Sequence, residues 1–275
     1  MRPGFREEDY FLSRISRGPF PVILAEKAGV VVYWCQITLL SPVFNRMTPE
    51  SLFDFEKLRH SPSGMIIVGI DEAGRGPLAG PVVAAAASYR DQTSFAVAEE
   101  LEKKFRFVRD SKTLSEKKRE EMYDFIREHF QIGIGIVTAE TIDRVNILQA
   151  TFLAMNDAVT DLRKTLGVTD SGILLLVDGN QKIPNLSVAQ ETVVGGDALV
   201  RSIAAASIIA KVTRDRMMAE YDTVYPVYGF AKHKGYGTKE HMDALKRFGA
   251  CPIHRMSFKP VFYSVPENVN RNLLK

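Results

Sequence analysis

The chain has 275 residues, of which 45% are hydrophobic and 25% are charged, an ordinary composition for a globular protein. This composition excludes wholesale disorder, collagen-like repeats and a multi-span membrane protein, and the length allows one large domain or one domain with an appendage. Cys35 and Cys251 are the only cysteines, too few for a disulfide framework or a Cys-rich zinc site, which indicates a reduced, cytoplasmic compartment.

The net charge of +3 is unevenly distributed along the chain. Residues 65–200 carry 15 Lys or Arg and 20 Asp or Glu, whereas residues 201–275 carry 13 and 6. A basic C-terminal third beside an acidic middle is typical of a protein that combines a polyanion partner with a carboxylate cluster. Charges that only solvate helix faces would produce the same asymmetry, so both interpretations stay open.

Residues 1–64 differ from the rest, because they mix charges without a clear periodicity. The uncharged stretch from Ala28 to Asn45 is interrupted by polar residues and is a poor candidate for a membrane-spanning helix. It also lies too far from the N-terminus, behind acidic residues, to be a signal peptide. We therefore expect no membrane association, and either a small strand-rich appendage or a segment without a stable fold.

From Met65 onward, apolar runs of strand length alternate with helical periodicity, which predicts an α/β domain. Buried strands are predicted over residues 65–70, 81–87, 132–138 and 173–177. The spacing of Thr113 and Glu116 predicts a capping box at the start of a helix that runs through Phe130. Further helices are predicted over residues 148–166, 197–218 and 238–248, the first ended by Gly167 and the last by Gly249.

Four acidic residues lie next to these elements. Asp71 and Glu72 follow the first predicted strand, Asp178 follows the strand over 173–177, and Asp197 begins the long helix. Ligands of such sheets gather at strand ends, and clustered carboxylates suit Mg²⁺ or Mn²⁺ better than zinc. Two such ions can activate a water and stabilise the leaving oxygen of a phosphodiester. Alternatively, Asp197 is only a helix cap and Asp178 belongs only to a turn.

A glycine-rich loop follows the first acidic pair. The segment from Gly69 to Gly76 resembles a phosphate-binding P-loop, but it lacks the lysine and places two carboxylates where phosphates would lie. Nucleotide binding by that mechanism is therefore excluded. Gly74 and Gly76 on either side of Arg75 would let the backbone approach a ligand closely, or would simply form a tight turn.

The basic third contains the segment Lys232-His233-Lys234-Gly235-Tyr236-Gly237. Its cations suit phosphates and an exposed tyrosine can stack on a base or sugar. Three basic residues of the long helix would extend this surface, unless they only solvate the helix: Lys211, Arg214 and Arg216. His233 and His241 lack the spacing of a helical zinc pair, and we interpret His254 as structural.

Several motifs, in order, resemble those of bacterial ribonuclease HII from about Met65 to Val261. The first is Gly69-Ile-Asp71-Glu72-Ala-Gly74-Arg75-Gly76-Pro77 with Gly80 and Pro81. The others are Asp110-Ser111-Lys112, Leu176-Val177-Asp178-Gly179-Asn180, Gly195-Gly196-Asp197, Ala204 to Asp215, His233-Lys234-Gly235-Tyr236 and His254-Arg255-Met256-Ser257-Phe258.

The resemblance implies a ribonuclease H-like fold, a mixed β-sheet flanked by helices, with a C-terminal helical region. Residues 1–64 have no counterpart in ribonuclease HII, and we expect them to form an N-terminal extension. The resemblance also implies an endoribonuclease that acts on RNA–DNA hybrids and cuts 5′ of ribonucleotides embedded in duplex DNA, leaving 3′-hydroxyl and 5′-phosphate ends. By the same resemblance, the catalytic and metal-binding residues are Asp71, Glu72, Asp178 and Asp197. The substrate-binding residues are Gly74, Arg75, Gly76, Lys112, Lys211 and Tyr236.

The resemblance further implies two divalent ions, Mn²⁺ or Mg²⁺, a monomer, a role in ribonucleotide excision repair and DNA replication, and an unnamed replication-associated partner. We expect an N-terminal extension over residues 1–64, a catalytic domain over 65–263 and a tail over 264–275. Gly237 stands where family members often have proline, which would loosen the tyrosine loop.

Two alternatives remain. In one, the chain is ribonuclease HIII-like and residues 1–64 bind the hybrid, although ribonuclease HIII usually has glutamate at the fourth acidic position. In the other, the chain binds nucleic acid without catalysis. The upstream stretch would also be explained by a misassigned start codon before Met65.

Overall fold

The computed structural model describes residues 11–14, 23–27, 30–34, 65–90, 114–167 and 169–264. The chain divides into two compact units, residues 1–51 and 52–275. The described part of the first unit is an antiparallel sheet of three strands, β1 (Phe11–Arg14), β2 (Ile23–Lys27) and β3 (Val30–Trp34). These strands fit the first of the two expectations for this segment, a small strand-rich appendage. The expected boundary at residue 64 and the tail after Ser264 lie outside the described residues.

The second unit is built on a mixed five-stranded sheet. Its strands are β4 (Ile66–Ala73), β5 (Val82–Tyr89), β6 (Phe130–Val137), β7 (Ile173–Asp178) and β8 (Ala189–Val193), in the spatial order β6-β5-β4-β7-β8. β4, β5 and β6 pair antiparallel, whereas β4, β7 and β8 pair parallel. The predicted mixed sheet is thus confirmed.

Helices cover both faces of this sheet. They are α1 (Glu116–His129), α2 (Ala139–Val145), α3 (Ile147–Leu166), α4 (Gly196–Leu199), α5 (Arg201–Val224), α6 (Phe230–His233), α7 (Lys239–Phe248) and α8 (Lys259–Ser264). Short 3₁₀ helices span Asp170–Gly172 and Pro226–Tyr228. Among the described residues, no helix is both long and apolar enough to cross a membrane.

Strand β5, which lies between β4 and β6, is buried on both faces, and this burial explains its run of small apolar residues. Val82 and its alternate neighbours pack toward α3, whereas Val83 and its alternate neighbours pack toward α1 and α5. Close packing needs the glycine in the adjoining strand β4, because a Cβ on Gly69 would lie 2.2 Å from the backbone of α5. The apolar alternation thus fixes two cores, one on each side of the sheet.

Two of the predicted element boundaries are wrong. The N-cap of α1 is Ser115, whose hydroxyl accepts from the Lys118 N–H, and not Thr113, which lies outside the described residues. Phe130 ends the helical periodicity but belongs to β6, since its backbone is extended and it pairs with Tyr89. An apolar residue at a helix end satisfies the period of 3.6 and also the start of a buried strand, so the pattern could not distinguish them.

The long predicted helix is also interrupted. Val200 has extended backbone angles and separates the four-residue helix α4 from α5. Asp197 therefore lies within α4 and not at the start of the long helix, so the interpretation of Asp197 as its N-cap is wrong. The interruption matters for the site, because α4 and α5 are separate helices and the N-terminus of α4 is hydrogen-bonded to Asp178 at the end of β7.

Candidate active site

Asp71 and Glu72 lie within strand β4, which continues to Ala73; the expectation that they follow the strand is wrong. Their backbones pair with Ala85 and Ala84 of β5. On the other side, Ile70 is paired with Val177 of the parallel strand β7, so Asp71 and Asp178 are the next residues along adjacent strands. The sheet register itself thus places two of the four predicted carboxylates side by side.

Asp71 is the most deeply buried of these acids, with 5% of its surface exposed. Burial raises the pKa of its carboxyl well above the usual range, and the nearby charges of Glu72 and Asp178 raise this pKa further. Burial also raises the pKa of Glu72, against the opposing charge of Arg75. Carboxylates held together in this way repel one another and favour a bound cation.

Asp178 brings the fourth acid to the same place. Its Oδ1 accepts a 2.7 Å hydrogen bond from the N–H of Gly196, at the first turn of α4. The residue after Gly196 is Asp197, which is buried, with 7% of its surface exposed. Because Asp197 directly follows Gly196, the hydrogen bond between Gly196 and Asp178 places the backbone of Asp197 near the end of β7.

Ser207 is a residue of the site that the sequence analysis did not single out. Its hydroxyl, on α5, donates a hydrogen bond to the Asp71 carboxylate and so favours the ionised form. The N–H of Glu72 donates to Asp71 Oδ1 at 2.7 Å. The one signal in the sequence was a hydroxyl within an otherwise apolar run, Ala204 to Ala210, on the helix face that packs on the sheet.

The glycine loop after β4 lies beside the tyrosine of the basic segment. A Cβ on Gly76 would be 3.7 Å from Cε1 of Tyr236, whose surface is 46% exposed. Backbone hydrogen bonds connect the two segments, since the Leu78 N–H donates to the Gly235 carbonyl at 2.8 Å. Arg75 is half exposed and its Nη1 lies 3.2 Å from Oε1 of Glu72. The structure thus brings Gly74, Arg75, Gly76 and Tyr236 into one neighbourhood.

Arg214 does not belong to a phosphate-binding surface, so this sequence-based expectation is wrong. The side chain is 1% exposed and donates to the carbonyls of Ala79, Pro81 and Lys234. Burial lowers its pKa to about 10, which leaves it charged at neutral pH. Its role is to connect the loop after β4 to the basic segment.

The other helix cations have partners of their own. Lys211 Nζ lies 2.6 Å from Asp215 Oδ1, one turn further along α5. Arg216 forms an ion pair with Glu120 and stacks 4.2 Å from the centroid of the Tyr123 ring, away from the acidic site. Lys112 lies outside the described residues. Both Lys211 and Arg216 have acidic partners in the structure, and their part in a basic surface stays a prediction.

Three histidines form a buried group beneath the tyrosine loop, as the structural interpretation of His254 predicts. His241 Nε2 and His254 Nε2 are 3.0 Å apart, and the rings of His233 and His241 stack with centroids 4.5 Å apart. His241 Nδ1 lies 2.9 Å from the Tyr236 carbonyl, to which it donates. The histidines thus support the backbone of the residue that the resemblance places against the substrate.

The acidic residues fit divalent ions by their chemistry. Asp71, Glu72 and Asp178 lie near enough to one another for their charges to act on each other's pKa, and their oxygen atoms match the hard-ligand preference of Mg²⁺ and Mn²⁺. In the described ranges, no three His, Cys, Asp or Glu side chains already stand close enough to form a finished ion site. A bound cation would offset the repulsion that Glu72 and Asp178 exert on Asp71.

A mixed sheet of this strand order with helices on both faces has the ribonuclease H-like fold, and Asp71 and Asp178 lie near the ends of its central strands. Solved structures agree. A chain of the PCNA:RNase HII complex from Archaeoglobus fulgidus matches with a TM-score of 0.55 and 25% identity, over 74% of this chain and 98% of that chain. Ribonuclease H2 from Pyrococcus horikoshii OT3 matches with a TM-score of 0.55 over 73% of this chain and 97% of that chain.

The family profile of Ribonuclease HII matches residues 68–261. Ribonuclease HII of Endomicrobium trichonymphae is 50% identical over 213 residues, which cover 77% of this chain and 94% of that protein. Ribonuclease HII of Clostridioides difficile is 48% identical over 210 residues, 76% of each chain. The chain belongs to the ribonuclease HII family, and it is an endoribonuclease that acts on RNA–DNA hybrids.

Proposed function

We propose that Asp71, Glu72, Asp178 and Asp197 hold two divalent ions, Mg²⁺ or Mn²⁺, at the ends of β4 and β7. The observation that carries this proposal is that Asp71 and Asp178 occupy equivalent positions on adjacent parallel strands, where burial, Glu72 and Asp178 together raise the pKa of Asp71. When bound, the ions activate a water and stabilise the leaving oxygen of the phosphodiester.

The protein groups around these acids orient them. The Ser207 hydroxyl and the Glu72 N–H both donate to Asp71, and the Gly196 N–H donates to Asp178. These bonds orient the carboxylates of Asp71 and Asp178, so these two side chains need little reorganisation when ligands arrive. Arg75, paired with Glu72, is half exposed and available to a substrate phosphate.

Selection of the ribonucleotide is assigned to the neighbouring loops. Gly74, Arg75 and Gly76 would approach the 2′-hydroxyl, which distinguishes RNA from DNA, and Tyr236 would stack on the adjoining sugar or base. Lys211 and Lys112 would contact phosphates. In this arrangement the enzyme cuts 5′ of a ribonucleotide embedded in duplex DNA and leaves 3′-hydroxyl and 5′-phosphate ends.

A protein partner and a cellular role can also be proposed for this enzyme. The Archaeoglobus fulgidus structure is a complex with PCNA, and we infer a replication-associated partner for this chain, consistent with ribonucleotide excision repair. We propose a cytoplasmic monomer, because none of the site residues named above requires a second copy.

Residues 1–64 leave the ribonuclease HIII-like alternative as a second candidate. The structure of Bst-RNase HIII in complex with Mn²⁺ aligns over 91% of this chain, with a TM-score of 0.56 and 15% identity, which bears on the fold alone. The antiparallel sheet of β1, β2 and β3 is the feature that favours a binding module. A non-catalytic protein is disfavoured, since all four carboxylates are present.

The decisive experiment compares end-labelled duplexes that contain one ribonucleotide, an all-RNA strand paired with DNA, or DNA alone. Each is incubated with the full chain in Mg²⁺ and in Mn²⁺, and product ends are mapped. We expect cleavage of the first two with 3′-hydroxyl ends, and none of the third. Absence of cleavage at the embedded ribonucleotide would contradict the proposal, and stronger cleavage of the hybrid that depends on residues 1–64 would favour the alternative.

A further inference from the structure

Arg255 lies under the glycine loop with 0% of its surface exposed. Its Nη2 donates to the Gly74 carbonyl at 2.6 Å and its Nη1 donates to the Arg75 carbonyl at 3.0 Å. The same guanidinium reaches the carbonyls of Gly80 at 3.0 Å and Pro81 at 3.1 Å. All four acceptors belong to the one segment that follows β4, so this side chain holds both ends of the loop.

A buried guanidinium normally has a carboxylate partner, because desolvation of an unpaired charge is costly. In the described part of the chain, every hydrogen bond of Arg255 goes to a backbone carbonyl. Burial and the neighbouring Arg214 guanidinium lower the pKa of Arg255 to about 9, and the negative charge of Asp143 acts in the opposite direction without a hydrogen bond to the guanidinium. The guanidinium therefore orients the backbone of the loop. A residue that only filled space in the core would not need a charged side chain.

The orientation has a specific consequence for the peptide N–H groups. In a planar trans peptide, the C=O and the following N–H point in opposite directions, and the described residues contain no cis peptide bond. The carbonyls of Gly74 and Arg75 point inward to Arg255, so the N–H groups of Arg75 and Gly76 point away from it. Within the described residues, neither N–H donates to another protein group.

We propose that Arg255 is a positioning residue that aims the Arg75 and Gly76 N–H groups at the 2′-oxygen of the ribonucleotide. This inference rests on the proposed function, in which the glycine loop meets the ribose. In this proposal the backbone N–H groups bind the 2′-hydroxyl, and the buried Arg255 side chain sets the direction in which they point. Arg255 itself does not touch the substrate.

The position of Arg255 is in turn fixed by Asp143 at the end of α2. The Asp143 carboxylate accepts from the N–H of Met256 at 2.8 Å and from the N–H and hydroxyl of Ser257 at 2.9 and 2.6 Å. The Arg255 N–H donates to the Leu78 carbonyl at 2.9 Å. A continuous set of bonds therefore connects α2 to the glycine loop.

The test measures binding preference in EDTA, where a metal-dependent enzyme does not cleave. Fluorescence anisotropy gives the Kd for a DNA duplex with one embedded ribonucleotide and for the same duplex without it. We expect the unaltered protein to prefer the ribonucleotide, and Arg255→Lys to reduce this preference about 3- to 10-fold, the effect of one lost hydrogen bond. Affinity for the all-DNA duplex should stay unchanged, because phosphate contacts supply it.

Arg90→Lys is the matched control, since Arg90 also donates to three backbone carbonyls, those of Arg127, Glu128 and Phe130, remote from the glycine loop. It should keep the full preference. Asp143→Ala is the second variant if Arg255→Lys does not fold. It releases Met256 and Ser257 while the Arg255 guanidinium itself is retained, and it should also lower the preference.

The possible results distinguish a failure of the proposed function from a failure of the proposed role of Arg255. If the unaltered protein shows no preference, the assignment of the glycine loop to the 2′-hydroxyl fails, and the role of Arg255 fails with it. If the preference exists and is lost in Gly76→Ala but retained in folded Arg255→Lys, the role of Arg255 is overturned while the proposed function stands. Where Arg255→Lys is unfolded, retention of the full preference by Asp143→Ala overturns it.

Discussion

The ring of Tyr236 lies against Gly76, with 3.7 Å between Cε1 and the place where a Cβ would be. This is an ordinary van der Waals distance, and Gly76 has no positive φ. The fold of the free protein therefore accepts a side chain at this position. Gly74 differs, because its φ is +98° and a Cβ would lie 2.1 Å from Arg214 Nε. The free fold therefore requires glycine at position 74 and tolerates a small side chain at position 76.

The first prediction follows from this difference. Gly76→Ala should leave the free energy of unfolding within about 0.5 kcal/mol, yet it should slow cleavage at an embedded ribonucleotide by up to about 100-fold, because the ribose is displaced. Gly74→Ala should lower the free energy of unfolding by about 1–3 kcal/mol through backbone strain and the clash with Arg214. Urea denaturation and single-turnover kinetics on both variants check this; equal losses of stability would contradict it.

The second prediction concerns the acids. Asp71→Asn or Asp178→Asn should reduce turnover by more than the roughly 10- to 100-fold typical of residues that only support a metal ligand. Duplex binding should persist, since phosphate contacts provide most of the affinity. Asp161→Asn is the control, because this acid accepts from the Ile134 N–H away from the site. Near-normal cleavage by Asp71→Asn would refute the metal assignment.

The third prediction concerns Tyr236. Loss of its ring should remove a stack worth about 1–3 kcal/mol, which slows cleavage at a single ribonucleotide roughly 5- to 150-fold if the contact acts in the transition state. Tyr236→Ala should show this loss with an unchanged metal dependence, and Tyr236→Phe should retain most of the rate. The assay is single-turnover cleavage at saturating enzyme, and equal rates for Tyr236→Ala and the unaltered protein would leave Tyr236 as a loop residue.

Hydrogen bonds define the protonation of the histidine group. The Cys251 N–H donates to His254 Nδ1 at 2.9 Å, so the neutral ring carries its proton on Nε2 and donates to His241 Nε2 at 3.0 Å. His241 then donates through Nδ1 to the Tyr236 carbonyl. The stacked His233 ring and the Cys251 thiol complete the surroundings. A second proton between the two Nε2 atoms would break this arrangement.

The fourth prediction is the pH dependence that results. Burial and the neighbouring His241 lower the pKa of His254 to about 4, whereas the unfolded chain has an ordinary histidine pKa near 6.5. The unfolded state therefore binds the proton first, and stability should fall as the pH drops from about 6.5 to 4. The raised pKa of Asp71 acts in the opposite direction.

The contribution of His254 is therefore isolated by difference. His254→Asn removes the titrating ring, so its free energy of unfolding should change less between pH 7 and pH 4.5 than that of the unaltered protein. Urea denaturation at several pH values measures both slopes. Parallel slopes would show that His254 does not carry the acid sensitivity.

The fifth prediction concerns the N-terminal unit. A truncated protein that begins at Met65 should fold and cleave an embedded ribonucleotide, because the matched family region spans residues 68–261. Circular dichroism and the cleavage assay test this against the full chain. A soluble truncated protein with selectively weakened hybrid binding would support the ribonuclease HIII-like alternative, and an insoluble one would place residues 1–64 in the core.

The sequence alone determined the elements and the family. Strand-length apolar runs, helical periodicity and ordered motifs predicted the α/β domain and the four acids, because local pattern and residue chemistry are written in consecutive positions. Asp71 and Asp178 could be selected since each follows an apolar run. Whether they lie inside a strand or after it could not be predicted, because the end of a strand depends on its neighbours in the sheet.

Only the tertiary structure decided the roles of Arg214, Arg255 and Ser207. A charged or hydroxyl side chain on a helix or loop looks solvent-exposed in the sequence, and burial depends on which distant segment lies across from it. The Gly74 and Arg75 carbonyls lie 181 and 180 residues from Arg255 along the chain, a separation over which no periodicity carries information. Buried polar groups form hydrogen bonds with whichever groups the tertiary fold places beside them. The partners of Arg214, Arg255 and Ser207 could therefore be identified only from the tertiary structure.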